Sequence, residues 1–174
     1  MDAFKDGGDG LSQKDELEVV YTLDKLVAEF EKRDVRVIFA NLHFWAGVLF
    51  SLKENWFCYI NSRFPLKTQK WTLGHELGHF ILHHDSASLF TDGVFPCVEA
   101  DAEWQANRFA AELLLPKRLV LRILDELSVD NLKKVFKISQ KFGVPIDAAA
   151  WWLRELNLIS SKAYQYFFSA YREV

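Results

Sequence analysis

Cysteine and long apolar runs are scarce in this chain of 174 residues, and positive charge does not exceed negative charge. The two cysteines, Cys58 and Cys97, do not form a C-x-x-C pair, so the sequence indicates neither a disulfide framework nor a zinc knuckle. No apolar run approaches the roughly 20 residues that are needed to cross a bilayer. The net charge of −3 gives no electrostatic reason to expect nucleic-acid binding.

The first ten residues, MDAFKDGGDG, also lack the features of a secretory signal. They are acidic and glycine-rich, and they contain neither a basic segment nor an apolar core. We therefore expect residues 1–12 to form a flexible tail and the protein to be cytoplasmic. Hydrophobic residues make up 50% of the chain, with 15 Phe, 6 Trp and 5 Tyr, which is typical of a folded domain.

The periodicity of the apolar residues predicts an α+β fold. An amphipathic helix is predicted over residues 13–33 and a strand over residues 35–42. Two aromatic-rich segments flank residues 53–55 and predict a hairpin with a three-residue loop, so that a small antiparallel sheet follows the first helix. Helices are then predicted over residues 66–84 and 98–115, and three further helical segments complete a C-terminal bundle.

Residues 137–159 have the pattern of a helix–turn–helix, which is also that of a generic αα-corner. Gly143 lies at the turn and Pro145 opens the second helix. That helix carries Trp151 and Trp152, which suit a protein core better than a DNA groove. Structural support is therefore the favoured interpretation of this segment, and contact with DNA is the less favoured one.

The stretch WTLGHELGHFILHH, residues 71–84, carries the clearest chemical signal. On a helix, His75 and His79 lie one turn apart and about 40° apart around the axis, so both imidazoles can bind one metal ion. A catalytic zinc site has three protein ligands and leaves the fourth position to water. Glu76 is displaced toward the neighbouring face and can act as the general base. This is the arrangement that the H-E-x-x-H motif of metallopeptidases requires, and the stretch alone leaves an ordinary helix with two histidines as the alternative.

This motif leaves the third ligand open. His83 is rotated about 80° from His75 around the helix, so we expect it to hydrogen-bond to a ligand or to pack at the helix end, and we expect His84 to be solvated. An acidic residue from the next helix is the remaining source. Glu99 and Glu103 both lie near its buried face, and the helical wheel slightly favours Glu99. Acidic residues are also common in a first turn because they complement the helix dipole, so the residues alone do not decide between the two.

Two stretches together resemble the motifs of the ImmA/IrrE-type metallopeptidases. They are INSRFPLKTQKWTLGHELGHFILHH, residues 60–84, and EWQANRFAAELLLP, residues 103–116. The two motifs occur in the right order, and the resemblance is close over residues 60–116 and looser elsewhere. One departure is Gly74, where the family usually carries Ala; it weakens the helix slightly but removes no chemistry.

The resemblance assigns roles to particular residues. It implies that His75, His79 and Glu103 are zinc ligands and that Glu76 is the general base. Asn107, one turn after Glu103, matches the family's Asn, which implies either a hydrogen bond that orients a ligand or a role in helix packing. All the positions that carry the chemistry are intact, which argues against an inactive relative.

The resemblance also implies a domain plan and a function. We expect a metallopeptidase domain over residues 13–130 and a helical extension over residues 131–174 packed on it as one unit. The implied activity is that of a gluzincin-like endopeptidase that cleaves a specific protein, typically a helix–turn–helix transcriptional repressor. An edge strand beside the H-E-x-x-H helix can pair with an extended substrate peptide.

Two competing hypotheses come from other classes of protein. In the first, a regulatory or DNA-binding protein uses zinc only to hold its fold; the net acidity and the intact Glu76 count against it. In the second, the chain is a partner-dependent toxin–antitoxin or phage-regulation module.

Overall fold

The computed structural model describes residues 21–82, 100–125 and 130–170, which form seven helices and one three-stranded sheet. The predicted α+β class is confirmed. In chain order the elements are α1 (Leu23–Glu31), β1 (Val35–Ala40), β2 (Gly47–Leu52), β3 (Asn55–Asn61), α2 (Leu66–Ile81), α3 (Ala100–Leu114), α4 (Lys117–Asp125), α5 (Asn131–Phe142), α6 (Ile146–Glu155) and α7 (Ser161–Ala170).

The sheet is mixed, whereas a purely antiparallel sheet was expected. Its strand order is β1-β3-β2, with β2 antiparallel and β1 parallel to β3. The hairpin between β2 and β3 is confirmed, but its loop has two residues because Leu52 pairs with Asn55. The loop residues Lys53 and Glu54 have φ of 49° and 66°, as a tight hairpin turn with two left-handed residues requires. The pairing of β1 with β3 joins segments that are distant in the sequence, so the local pattern of residues does not predict that β3 lies between β1 and β2.

Helices α1 and α2 pack against one face of the sheet. Cys58 and Ile60 of β3 are fully buried on that face, and the ring of Trp56 meets that of Phe80 edge-on at 5.3 Å. Helix α2 begins directly after Pro65, as predicted. The sheet and α1 thereby support the helix that carries the H-E-x-x-H motif.

Helix α3 packs tightly against α2 at a glycine, Gly78. A Cβ atom added at Gly78 would lie 3.1 Å from both the Cα and the carbonyl oxygen of Ala106, so a side chain there would force the backbone of α3 to move by a few tenths of an ångström. Ala106 and Ala110 of α3 are fully buried. The close contact brings the polar residues of the first half of α3 next to the histidines of α2.

Helices α5 and α6 form the predicted helix–turn–helix. Asp130 caps α5 by accepting a hydrogen bond from Lys133 N at 2.9 Å, and Gly143 ends the helix with φ of 61°. The second helix buries Trp152, whose indole donates to the carbonyl of Leu115 at 2.9 Å. Because this helix packs into the core, its geometry agrees with the structural interpretation. Among the described residues, no helix is both long and apolar enough to span a membrane.

Candidate metal centre

Three of the predicted site residues converge at the interface between α2 and α3. The Nε2 atoms of His75 and His79 lie 3.0 Å apart. The two carboxylate oxygens of Glu103 lie 3.3 Å from His75 Nε2 and 3.4 Å from His79 Nε2. The i, i+4 spacing on α2 and the close packing of α3 therefore place two imidazoles and one carboxylate around a single point.

The spacing of these atoms fits a tetrahedral metal ion. Nitrogen and oxygen ligands bound to zinc at about 2.0–2.1 Å lie roughly 3.3 Å from one another. The observed separations of 3.0, 3.3 and 3.4 Å match that value. Two histidines and one carboxylate are also a donor set that zinc takes in catalytic sites. His75, His79 and Glu103 are thus able to hold a metal ion together.

The electrostatics of the cluster favour a positive charge at its centre. Hydrogen bonds from His75 and then from His79 hold the pKa of the Glu103 carboxyl well below its usual range. Burial alone would lower the pKa of His75, but the hydrogen bond to Glu103 and the charges of Glu76 and Glu103 outweigh burial and raise it. A bound metal cation would supply this positive charge, because it pairs with the carboxylate of Glu103 and binds the neutral imidazoles.

Glu76 lies on the side of α2 that faces the sheet and is only 9% exposed. Burial, reinforced by the charge of Glu103, raises its pKa to about 7, while the charge of His75 and a hydrogen bond from the backbone N–H of Leu49 oppose that shift. A Cβ atom added at Gly47 would lie 3.1 Å from Glu76 Oε1 and would clash with Thr72 Cγ2. The start of β2 therefore packs directly against the predicted general base.

Asn107 contacts the ring nitrogen of His75 that does not face His79 and Glu103. Its Oδ1 is 3.0 Å from Nδ1 of His75. When Nδ1 carries the proton, it donates to this oxygen and leaves Nε2 free to face Glu103. Of the two roles that the sequence left open for Asn107, orientation of a ligand is the one that this contact supports.

Some predicted residues lie outside the described residues, namely His83, His84 and Glu99. Glu103, which the resemblance implies as the third ligand, lies in the cluster with His75 and His79. Sequence reasoning missed the contacts of Gly47 and Leu49 with Glu76, since β2 lies more than twenty residues before it in the chain. A glycine in a strand of apolar residues was the one available signal, because it often marks a close approach.

Comparisons with known proteins agree with this geometry. A family model of peptidases, described as the IrrE N-terminal-like domain, matches residues 30–153, which is more than half of the chain. The metallopeptidase ImmA of Bacillus subtilis (strain 168) is 25% identical over 118 residues, or 68% of this chain and 67% of that protein.

A solved structure, described as a Mycobacterium tuberculosis transcriptional regulator, has a similar fold, with a TM-score of 0.53 and 17% identity. The match covers 74% of this chain but only 39% of the regulator's chain.

Proposed function

The chain belongs to the ImmA/IrrE family of metallopeptidases, and from that premise we propose that it is a zinc-dependent endopeptidase that cleaves a specific protein substrate. One observation carries the proposal: the ligand atoms of His75, His79 and Glu103 all lie within 4.8 Å of one another. Glu76 follows directly after the first of these residues, as the H-E-x-x-H mechanism requires.

Each site residue has a distinct task in the proposed reaction. His75, His79 and Glu103 hold the metal ion, and the carboxylate ligand makes the site gluzincin-like. When bound, Zn²⁺ polarises the scissile carbonyl and lowers the pKa of water at the site. Glu76 accepts the proton of the attacking water and passes it to the leaving amine nitrogen. Burial of Glu76 favours uptake of a proton by its carboxylate. Asn107 keeps the ring of His75 in position.

Strand β2 is a suitable place for the substrate backbone. In the described sheet it pairs with β3 on one side only, and its other side lies along Glu76. An extended peptide can add to such an edge through main-chain hydrogen bonds. The scissile bond of a peptide bound there would lie next to the general base.

We further propose that the substrate is a helix–turn–helix transcriptional repressor and that the reaction takes place in the cytoplasm. The family resemblance implies such a substrate. The chain's net charge of −3 and the burial of α6 favour a protein substrate over DNA as the partner.

The test compares the wild-type protein with Glu76→Gln and Glu103→Ala. We expect the zinc-loaded wild type to cleave a repressor encoded beside it, and Glu76→Gln to slow cleavage at least about 100-fold while keeping one zinc per chain. Glu103→Ala is expected to lose zinc as well as activity. Mass spectrometry of the products and elemental analysis measure the two properties separately.

The competing hypothesis is that zinc only supports the fold of a regulatory protein. It predicts that Glu76→Gln performs the biological task as well as the wild type does. That result, with zinc still bound, would show that the peptidase proposal is wrong.

A further inference from the structure

Asn61, the last residue of β3, fixes the segment 41–46, which we call the β1–β2 loop. Its side chain is 3% exposed, and its Nδ2 donates to the carbonyls of Leu42 and Trp45, the latter at 2.8 Å. Its Oδ1 accepts a hydrogen bond from Arg63 N at 3.1 Å. Both donors and the acceptor of this buried amide are thus used, which holds the loop in one conformation.

The fixed loop presents aromatic side chains to solvent. Phe44 is 92% exposed and Trp45 is 48% exposed, although large aromatic residues are normally buried on folding. The loop sequence, NLHFWA, contains no Lys, Arg, Asp or Glu. Apart from Asn41 and His43, the loop therefore offers apolar side chains.

The loop also lies beside the candidate site. It runs directly into Gly47, which packs against Thr72 and Glu76. The carbonyl of Ala46, the last residue of the loop, accepts a hydrogen bond from the backbone N–H of Asn61 at 2.9 Å. The loop thus leads directly into the strand along whose edge we place the substrate backbone.

We propose that the β1–β2 loop is a recognition surface on which an apolar side chain of the protein substrate docks, with Asn61 as the positioning residue. The inference rests on the proposed function for the presence of a protein substrate. It names the class of that substrate: a protein whose cleaved segment carries an aromatic or long aliphatic residue within a few positions of the scissile bond.

The test measures binding rather than cleavage. The zinc-loaded Glu76→Gln protein is titrated with fluorescent twelve-residue peptides that are identical except for one central residue, which is Phe, Leu, Ser or Glu. We expect the Phe and Leu peptides to bind about tenfold more tightly than the Ser peptide, because part of one apolar side chain leaves water. Equal binding of all four peptides, or no binding of any, would overturn the proposal.

Two variants in the same background locate the effect. Phe44→Ser is expected to bring the ratio of Phe to Ser peptide affinities close to one. Tyr166→Ser removes another exposed aromatic ring, 59% exposed on α7, and should leave the ratio unchanged. If Phe44→Ser keeps the ratio, or if it only converts a dimer to a monomer without changing the ratio, the loop is not a substrate-docking surface.

Asn61→Asp tests the positioning role while both aromatic rings remain. The carboxylate keeps the acceptor for Arg63 N but loses the two donors to Leu42 and Trp45. We expect the affinity ratio to fall toward one while zinc content stays at one per chain. A purely stabilising residue would lower the thermal midpoint and leave the ratio intact. If this variant does not fold, Phe44→Ser decides.

Failure of this inference is distinguishable from failure of the proposed function. A Phe preference in the binding assay without cleavage by the wild type would support the docking surface and contradict the peptidase. Cleavage that depends on Glu76, without any preference among the peptides, would support the peptidase and contradict the docking surface.

Discussion

The Oδ1 atom of Asn107 lies 3.0 Å from Nδ1 of His75, one turn of α3 beyond Glu103. One face of α3 therefore supplies both the carboxylate that joins the two histidines and the hydrogen bond that orients one of them. The position of α3 against α2 sets the distances among the three candidate ligands.

Removal of the Asn107 hydrogen bond should weaken metal binding without removing a ligand. We expect Asn107→Ala to lower zinc affinity about 10- to 100-fold, because the ring of His75 loses its orientation. Asn107→Asp keeps an acceptor at the same place and should lose less than Asn107→Ala does. Competition with a chromogenic chelator measures both constants. Equal affinity of Asn107→Ala and wild type would show that Asn107 serves only in packing.

Two glycines of α2 should respond differently to the same substitution. At Gly78 an added Cβ meets backbone atoms of Ala106, which cannot move without α3, so we expect Gly78→Ala to cost about 1–3 kcal/mol of the free energy of unfolding. Zinc affinity should fall as well, because α3 carries Glu103. At Gly74 the added Cβ lies 3.1 Å from Leu114 Cδ1, the end of a flexible side chain.

The matched variant Gly74→Ala should therefore leave stability unchanged or raise it by up to about 1 kcal/mol through helix propensity. Urea unfolding with and without zinc distinguishes the two variants. Similar losses of stability and of zinc affinity in both variants would show that the close approach of α3 at Gly78 does not set the distances among the candidate ligands.

The sequence was sufficient to predict the part of the site that lies on one helix. The positions of His75, Glu76 and His79 follow from the 3.6-residue period once a helix is assumed. Glu103 is on another helix, and the wheel alone favoured Glu99, so the second motif was needed to choose it. The hydrogen bond of Asn107 to His75 depends on how closely α2 and α3 pack, which only the structure shows.

The sheet illustrates why long-range pairing escaped prediction. The two aromatic-rich segments that flank residues 53–55 predicted the β2–β3 hairpin, apart from the length of its loop. The parallel pairing of β1 with β3 joins Val35 to Trp56, and no local pattern specifies such a pair. The contact of Gly47 with Glu76 is likewise between segments distant in the sequence, and no local pattern specifies it.

The outer edge of β2 offers a test of how the substrate backbone binds. Because Leu49 N–H faces Glu76, the N–H of Ser51, two residues further along the strand, points to the same side. Ser51→Pro removes that donor without breaking the ladder to β3, and prolines are tolerated on edge strands. We expect cleavage to fall at least about tenfold, as one main-chain hydrogen bond and the fit of the peptide are lost.

Ser51→Ala is the control for this change, because it removes the hydroxyl group and keeps the N–H. It should cleave at the wild-type rate, and both variants should keep one zinc per chain. Equal rates for Ser51→Pro and Ser51→Ala would exclude pairing of the substrate with this edge.

Lys70 joins α2 to the end of α5. Its ammonium group donates to the carbonyl of Phe142 at 2.6 Å, next to the left-handed Gly143, and the residue is only 9% exposed. Burial lowers the pKa of Lys70 from 10.5 to about 8. The folded protein therefore carries the cost of a buried charge below pH 8, whereas the unfolded chain keeps the proton up to about pH 10.5.

This difference gives a stability change with a definite sign. Between pH 8 and 10.5 the unfolded state binds more protons at Lys70 than the folded state does, so the free energy of unfolding should rise with pH in that window. Relative to Lys70→Met, which has no proton to lose, the wild type should gain about 1–2 kcal/mol between pH 7 and 10, after a discount for solvent screening. Urea unfolding of both proteins at each pH measures the gain. A constant difference between them would show that the Lys70 ammonium keeps its ordinary pKa and that its burial between α2 and α5 carries no electrostatic cost.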